Sequence, residues 1–212
     1  MYHDFICADR DNTSVHITQV LCVSSKHSFS GLVLTPCYLK EFAPKIPSGT
    51  VASCVIDFPF GMSAQSTRVQ GTINAIDRGA NSIDLVANFN LCADKKFSAF
   101  YDDIQAVYDI CKDKDVILRV VIDYKLFNLE MLARICHSIK EIGIEYIIPS
   151  NGVFLDNWDD NLAVSMDLMK KVDINVITNG NVLRKTEYQA VKDSGIFGVR
   201  LHSLAAVYQI FN

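Results

Sequence analysis

The run Val116-Ile117-Leu118-Arg119-Val120-Val121-Ile122-Asp123, the helical stretch Leu129 to Ile142, and then Gly143 with a second run, Glu145-Tyr146-Ile147-Ile148, together decide the fold class. Both runs are short, rich in β-branched residues and nearly continuous in apolar character, so each reads as a strand needing cover on both faces. The stretch between them repeats its apolar residues at helical spacing. It stops on Lys140-Glu141-Ile142-Gly143, where glycine takes the left-handed conformation at little cost. Strand, crossover helix and strand make one β-α-β unit.

The same alternation extends in both directions. Strands are predicted at Tyr2 to Ile6, Gly31 to Thr35, Val51 to Phe58, Ile83 to Ala87, Val116 to Asp123, Glu145 to Ile148, Asn175 to Thr178 and Gly198 to His202. Helices are predicted at His16 to Lys26, Tyr38 to Ala43, Ala64 to Arg78, Phe97 to Lys112, Leu129 to Ile142, Trp158 to Val172 and Lys185 to Ser194, with a short tail from Leu204. Ile76-Asp77-Arg78-Gly79 supplies a second glycine stop. Eight doubly covered strands with regular crossovers favour a closed parallel barrel over an open sheet, so the expected fold is a compact α/β (β/α)8 TIM barrel. At 212 residues this allows about 26 per unit, and no Pro/Ser-rich linker or internal repeat divides residues 1–212, so one domain is expected.

Composition narrows the function classes. Half the residues are hydrophobic, enough for a sizeable core, and the formal charge is -4 with no basic run longer than Lys95-Lys96 or Lys170-Lys171. That balance excludes a phosphate-backbone binder, so no nucleic acid partner is expected. The longest apolar runs fall far short of the roughly 20 residues a membrane span needs, and Met1-Tyr2-His3-Asp4 does not open a secretory signal, so the cytoplasm is the expected compartment. Seven cysteines, an odd number without a close C-x-x-C pair, read as reduced thiols in apolar packing, and no metal or cofactor is expected. Cys7 and Cys37, each just past a predicted strand, are the thiols to test for reactivity.

Chemistry in such a barrel sits at the C-terminal ends of the strands. Those ends carry Asp4, Thr35, Asp57, Asp84, Asn88, Asp123, Lys125, Ser150, Asn151, Asn179, Asn181, Arg200, His202 and Ser203. A single Asp at such a place usually caps a helix or forms a turn; a ring of polar residues on successive strands reads as a polar cavity.

Several motifs, in order along nearly the whole chain, resemble the deoxyribose-phosphate aldolase family. Val51-Ala52-Ser53-Cys54-Val55-Ile56-Asp57-Phe58-Pro59-Phe60-Gly61 is similar to that family's V-A-T-V-I-G-F-P-x-G strand and turn. Ser66-Thr67-Arg68 and then Gly79-Ala80-Asn81-Ser82-Ile83-Asp84-Leu85-Val86 resemble T-x-x-K and G-A-x-E-I-D-M-V. Gly31 to Pro36 resembles G-V-C-V-x-P, and Leu118 to Asp123 resembles L-K-V-I-x-E. The resemblance implies a barrel and a class I aldolase ancestry: reversible cleavage of deoxyribose 5-phosphate through a Schiff base on a strand-six lysine, with a strand-seven lysine holding the first one deprotonated.

The implied lysines are absent. The strand-six motif V-K-T-S-T-G aligns with Ile147-Ile148-Pro149-Ser150-Asn151-Gly152, and the strand-seven motif V-K-A-S-G-G aligns with Val176-Ile177-Thr178-Asn179-Gly180-Asn181, so Ile148 and Ile177 take the lysine positions. An imine needs a nucleophilic amine, and isoleucine offers none. The phosphate cradle is altered as well. The G-T-S-S turn aligns with Arg200-Leu201-His202-Ser203, leaving Gly152, Gly180, Asn181 and Ser203 as its remnants.

By the same resemblance Asp84 matches a proton-relay aspartate and Asp4 a strand-one aspartate, while Arg119 and Asp123 stand where the family has lysine and glutamate. Read from the residues alone, Arg119, Asp123 and Asp84 make an internal ion-pair network bracing the barrel.

Three functional readings are open. One is a non-catalytic homologue acting as a scaffold, binding module or subunit of a larger assembly, homo-oligomers included. The second is an aldehyde-lyase acting on a phosphorylated sugar through a relocated amine at Lys125, whose side chain shares the inward face of Arg119 and Asp123 if strand five continues. The third is a different acid-base enzyme using Asp84, Asp123 and His202.

Overall fold

Strands that are apolar along both faces have two surfaces to bury, and this chain buries both by closing its sheet on itself. A computed structural model describes residues 1–9, 11–153 and 156–211. Its strands are β1 (Tyr2–Cys7), β2 (Gly31–Leu34), β3 (Val51–Ile56), β4 (Ser82–Val86), β5 (Ile117–Val121), β6 (Tyr146–Ile148), β7 (Asn175–Thr178) and β8 (Gly198–Leu201). The helices are α1 (Ser14–His27), α2 (Pro36–Phe42), α3 (Gln65–Asp77), α4 (Phe89–Ala93), α5 (Phe97–Asp113), α6 (Leu129–Ile142), α7 (Trp158–Val172), α8 (Lys185–Asp193) and α9 (Leu204–Phe211). Each strand pairs in parallel with its sequence neighbours and β1 also pairs with β8, which closes a (β/α)8 barrel.

Every predicted strand and helix is present, β7, α6 and α7 with the predicted bounds and the others with ends displaced by at most two residues. The helix α4 is an addition; its five residues are too few to show a helical period. β5 ends at Val121 rather than Asp123, a difference that bears on Lys125 below.

Alternation along each strand sorts the side chains into two cores. Outward residues such as Phe5, Leu32, Cys54, Leu85, Val120, Ile147, Val176 and Leu201 join the large core under the helices. Inward residues form separate clusters: Val86, Val121, Ile148 and Ile177 in one, Ile6, Val33 and Val55 in another, with Phe58 packed on both.

The helix α6 shows how the outer layer is held. Leu132, Ile135, Cys136, Ile139 and Ile142 are buried on one face, the Asn128 side chain accepts from the Met131 N–H at 2.9 Å, and Gly143 ends the helix at φ +106°. Among the described residues no helix is long and apolar enough to cross a membrane.

The cysteines follow the same sorting. Cys22 and Cys37 are exposed, whereas Cys7, Cys54, Cys92, Cys111 and Cys136 are buried. Burial pushes each of these five thiols up to about 12. Cys7 is thus not a candidate reactive thiol: it is the last residue of β1 and only 1% exposed. A mild thiol reagent at pH 8 should label Cys22 and Cys37 in the native protein, and the other five only after denaturation. Fast native labelling of Cys7 would contradict its placement.

Candidate functional site

Halfway along the barrel, four charged side chains meet in the interior. Arg119 Nε donates to Asp84 Oδ1 at 2.6 Å, and Arg119 Nη1 stands 3.4 Å from Asp4 Oδ2. Arg200 Nε donates to Asp4 Oδ2 at 2.8 Å, while its Nη2 reaches Asp4 Oδ2 and Asp84 Oδ2, both at 2.5 Å. Ser53 Oγ adds a hydrogen bond to Asp84 Oδ1 at 2.9 Å, and Arg119 Nη1 donates to the Tyr2 hydroxyl at 3.3 Å. Barrel register brings them level, since Asp4 is the Cα partner of Arg200, and Asp84 of Arg119.

Two acids and two bases balance, and all four are buried. Burial alone would raise the Asp84 carboxyl, but the Arg119 and Arg200 guanidiniums outweigh it and hold the group below its ordinary value. The same carboxylates raise Arg119 against its own burial, and burial pushes Tyr2 up. A carboxylate clamped this way stays ionised at neutral pH, which suits bracing better than proton transfer.

The expected internal ion-pair network therefore exists with different members. Asp123 is outside it: it lies beyond the end of β5, where its carboxylate accepts from the Lys125 N–H. Arg200 joins in its place, and it points into the barrel instead of lying against a phosphate turn.

Beyond the charged layer the interior is hydrocarbon. Ile148 is 0% exposed and packs with Ile177, Val86 and Val121. Phe58, from the loop after β3, covers both this cluster and its neighbour of Ile6, Val33 and Val55. That loop is fastened. The Asp57 carboxylate accepts from the Ser63 N–H at 2.8 Å and the Ser63 hydroxyl at 2.7 Å, and Asn151 Nδ2 donates to the Pro59 carbonyl at 3.0 Å across the mouth. Arg68, from the Ser66-Thr67-Arg68 motif, is buried, donates to the Val86 carbonyl at 2.6 Å and pairs with Asp103 at 2.9 Å.

Lys125 does not enter the barrel. The chain turns after β5, with the Leu126 N–H bonded to the Asp123 carbonyl at 3.2 Å, and this turn carries Lys125 to the surface. Its backbone N–H donates to Asp123 Oδ1 at 3.1 Å, and its Nζ lies 4.0 Å from that oxygen and 5.8 Å from the centre of the Tyr124 ring. Every lysine of the chain is exposed.

The remnants of the phosphate cradle have structural partners. A side chain at Gly152 (φ +76°) would meet the Asn179 amide at 3.0 Å, and one at Gly180 would meet Asn161 Cβ at 3.0 Å and Trp158 Cα at 3.1 Å, so Gly180 marks a close approach to α7. Asn181 Nδ2 donates to the Asp156 carbonyl at 3.1 Å, and Ser203 Oγ accepts from the Ala206 N–H at 3.4 Å at the start of α9. Sequence reasoning did not find Asp156, whose carboxylate accepts from the Tyr124 hydroxyl at 2.7 Å and from Asn161 at 3.0 Å. Its side-chain partners come from separate elements, and no local motif announces them.

Asp84, Asp123 and His202 do not form one acid-base group. Asp84 is clamped in the interior, Asp123 accepts from the turn it begins, and His202 is half-buried two residues past Arg200. Among the described residues, no three His, Cys, Asp or Glu side chains gather as metal ligands would.

No family model matches the chain. A curated relative, deoxyribose-phosphate aldolase 1 of Vibrio vulnificus, is 26% identical over 185 residues, covering 86% of this chain and 83% of the relative. Deoxyribose-phosphate aldolase of Clostridium novyi is 24% identical over 212 residues, covering 98% and 94%. Among solved structures, the tetrameric deoxyribose phosphate aldolase of Aeropyrum pernix superposes with a TM-score of 0.86 at 18% identity, covering 98% of this chain and 87% of that one.

Proposed function

We propose that this divergent homologue of the deoxyribose-phosphate aldolases is a non-catalytic form of the barrel, retained as a scaffold, binding module or subunit of a larger assembly. The observation that carries this reading is the exposure of every lysine, while the two aligned lysine positions, Ile148 and Ile177, belong to a buried apolar cluster. Schiff-base catalysis needs an amine that is neutral at working pH, and burial or a neighbouring cation is what makes it so. Lys125 has neither. Its Nζ lies 4.0 Å from Asp123 Oδ1, and Arg119 and Arg200 are engaged with Asp84 and Asp4. The clamped state of Asp84 and the structural partners of Gly152, Gly180, Asn181 and Ser203 support the same reading.

Borohydride trapping tests it. Incubation with acetaldehyde or deoxyribose 5-phosphate, then reduction and intact-mass measurement, should give no stoichiometric adduct, and aldol cleavage should be absent. A single adduct mapped to Lys125 and missing from Lys125→Met would overturn the proposal in favour of a lyase with a relocated amine.

A further inference from the structure

The loops that follow the strands all open at one end of the barrel, and apolar side chains stand out on that face. With each loop numbered by the strand it follows, Phe60 and Met62 of loop 3, Leu126 of loop 5, Val153 of loop 6 and Leu183 of loop 7 are between 43% and 62% exposed. Hydrogen bonds hold these loops together. Asn151 Nδ2 donates to the Pro59 carbonyl and its Oδ1 accepts from the Val153 N–H, both at 3.0 Å, which ties loop 3 to loop 6. The Tyr124 N–H donates to the Pro149 carbonyl at 2.9 Å, which ties loop 5 to loop 6. Single exposed apolar residues need no explanation, but several gathered on one face mark a contact surface.

The placement of charge selects the partner. Loop 4 holds Asp94, Lys95 and Lys96, and because Asp94 pairs with Lys96 at 2.8 Å the loop is net positive. From Pro149 to Asp160 the sequence has no base; Asp156 is buried there, while Asp159 and Asp160 are exposed at the start of α7. The strands run in sequence order round the barrel, so loops 3 to 7 form an arc centred on loop 5, positive on one side and negative on the other. A purely acidic partner would be repelled at loop 6 and a purely basic one at loop 4. A second copy meets neither conflict. A two-fold axis across the barrel through loop 5 sets loop 4 against loop 6 of the other copy, loop 3 against its loop 7, and loop 5 against itself. Lys95 and Lys96 then face Asp159 and Asp160 of the second copy, while Phe60 and Met62 face its Leu183. Lys125, near the axis, has Asp123 Oδ1 4.0 Å away, and Arg184 beside Leu183 donates to Glu187 at 2.6 Å.

We propose that two copies of this chain dock mouth to mouth about a two-fold axis at loop 5, with the lysines of loop 4 opposite the aspartates at the start of α7 and the exposed apolar side chains between them. This names a partner for the scaffold reading and rests on it, because two barrels joined in this way close each other's mouths.

Sedimentation velocity over roughly 1–200 μM protein should show a reversible dimer with a dissociation constant on the order of micromolar. Lys95→Glu with Lys96→Glu should weaken it at least about tenfold, and so should Asp159→Lys with Asp160→Lys. The chain carrying all four changes should return to within about threefold of wild type, since the charges again face their opposites. Leu126→Asp, which sets two carboxylates against each other at the axis, should leave a monomer. All five positions are exposed, so each variant should keep the wild-type circular dichroism. A wild-type protein that stays monomeric throughout assigns the face to another partner and overturns the proposal. A dimer that either charge reversal leaves intact overturns it too, as does a four-change chain that associates no better than the two reversals. Sedimentation reads association and borohydride trapping reads an amine: a monomer that traps no aldehyde sinks the dimer and leaves the non-catalytic reading standing, whereas a Lys125 adduct sinks that reading whatever the sedimentation shows.

Discussion

Asp84→Ala is expected to destabilise the barrel by about 3–5 kcal/mol, the range for removing one partner from a buried ion pair. The loss does not come from the missing hydrogen bonds alone. Without Asp84, the guanidiniums of Arg119 and Arg200 share the single carboxylate of Asp4 inside a closed barrel, which leaves one uncompensated positive charge. Adding Arg119→Met to the same chain restores the balance as an Asp4–Arg200 pair, so the double variant should be more stable than the sum of the two single losses predicts. Urea unfolding of the four proteins in this cycle measures the coupling, and additive losses would mean the four side chains do not act as one unit.

The same network sets a pH dependence. Asp84 has a folded-state value below its unfolded one, so the stability it contributes is present above the unfolded carboxylate value of about 4 and drains away as pH falls through the folded value. Wild-type stability should therefore drop on acidification below about pH 4. Asp84→Asn should be less stable at neutral pH and flatter through that window.

How much of this was legible depends on whether the information is local. The strand and helix segments are, because apolar runs, helical spacing and glycine stops such as Gly79 and Gly143 each lie within a few residues. Both glycines take positive φ, +100° and +106°. The short α4 has no such signal, and α2 begins at Pro36, two residues before its apolar pattern starts. The ion network is not local. Alternation correctly turns Arg119 inward, but which acid it meets depends on the register between β4 and β5 and on β1 lying beside β8, and no segment read alone contains that pairing. Alternation also misleads where a strand stops early. Carried past Val121, it turns Lys125 inward, whereas the turn beginning at Asp123 brings that lysine to the surface. The loss at Ile148 and Ile177 was legible because it is a matter of residue identity. The covering of that layer by Phe58 was not.

That covering governs the second large effect. Ile148→Lys should cost about 1–4 kcal/mol at neutral pH, because the side chain is fully enclosed by Val86, Val121, Ile177 and Phe58 and no acid is packed in that cluster. In the charged layer, Asp4 and Asp84 are committed to the two arginines. A cation there gains little to offset desolvation, so burial should depress the amine below the unfolded lysine value of about 10.4. A depressed lysine penalises folding fully below its folded value and not at all above the unfolded one, so the deficit against wild type should shrink as pH rises toward 10. Ile148→Met, similar in volume and uncharged, should lose less than about 1.5 kcal/mol and show no such pH trend. Adding Ile177→Lys places a second cation in the same cluster, so the double variant should be less stable than either single one. It should also remain inactive while Phe58 fills the space above. Urea melts across pH 7 to 10 distinguish these outcomes, and an Ile148→Lys protein as stable as wild type at neutral pH would mean that residue 148 reaches solvent and that the apolar layer is not closed.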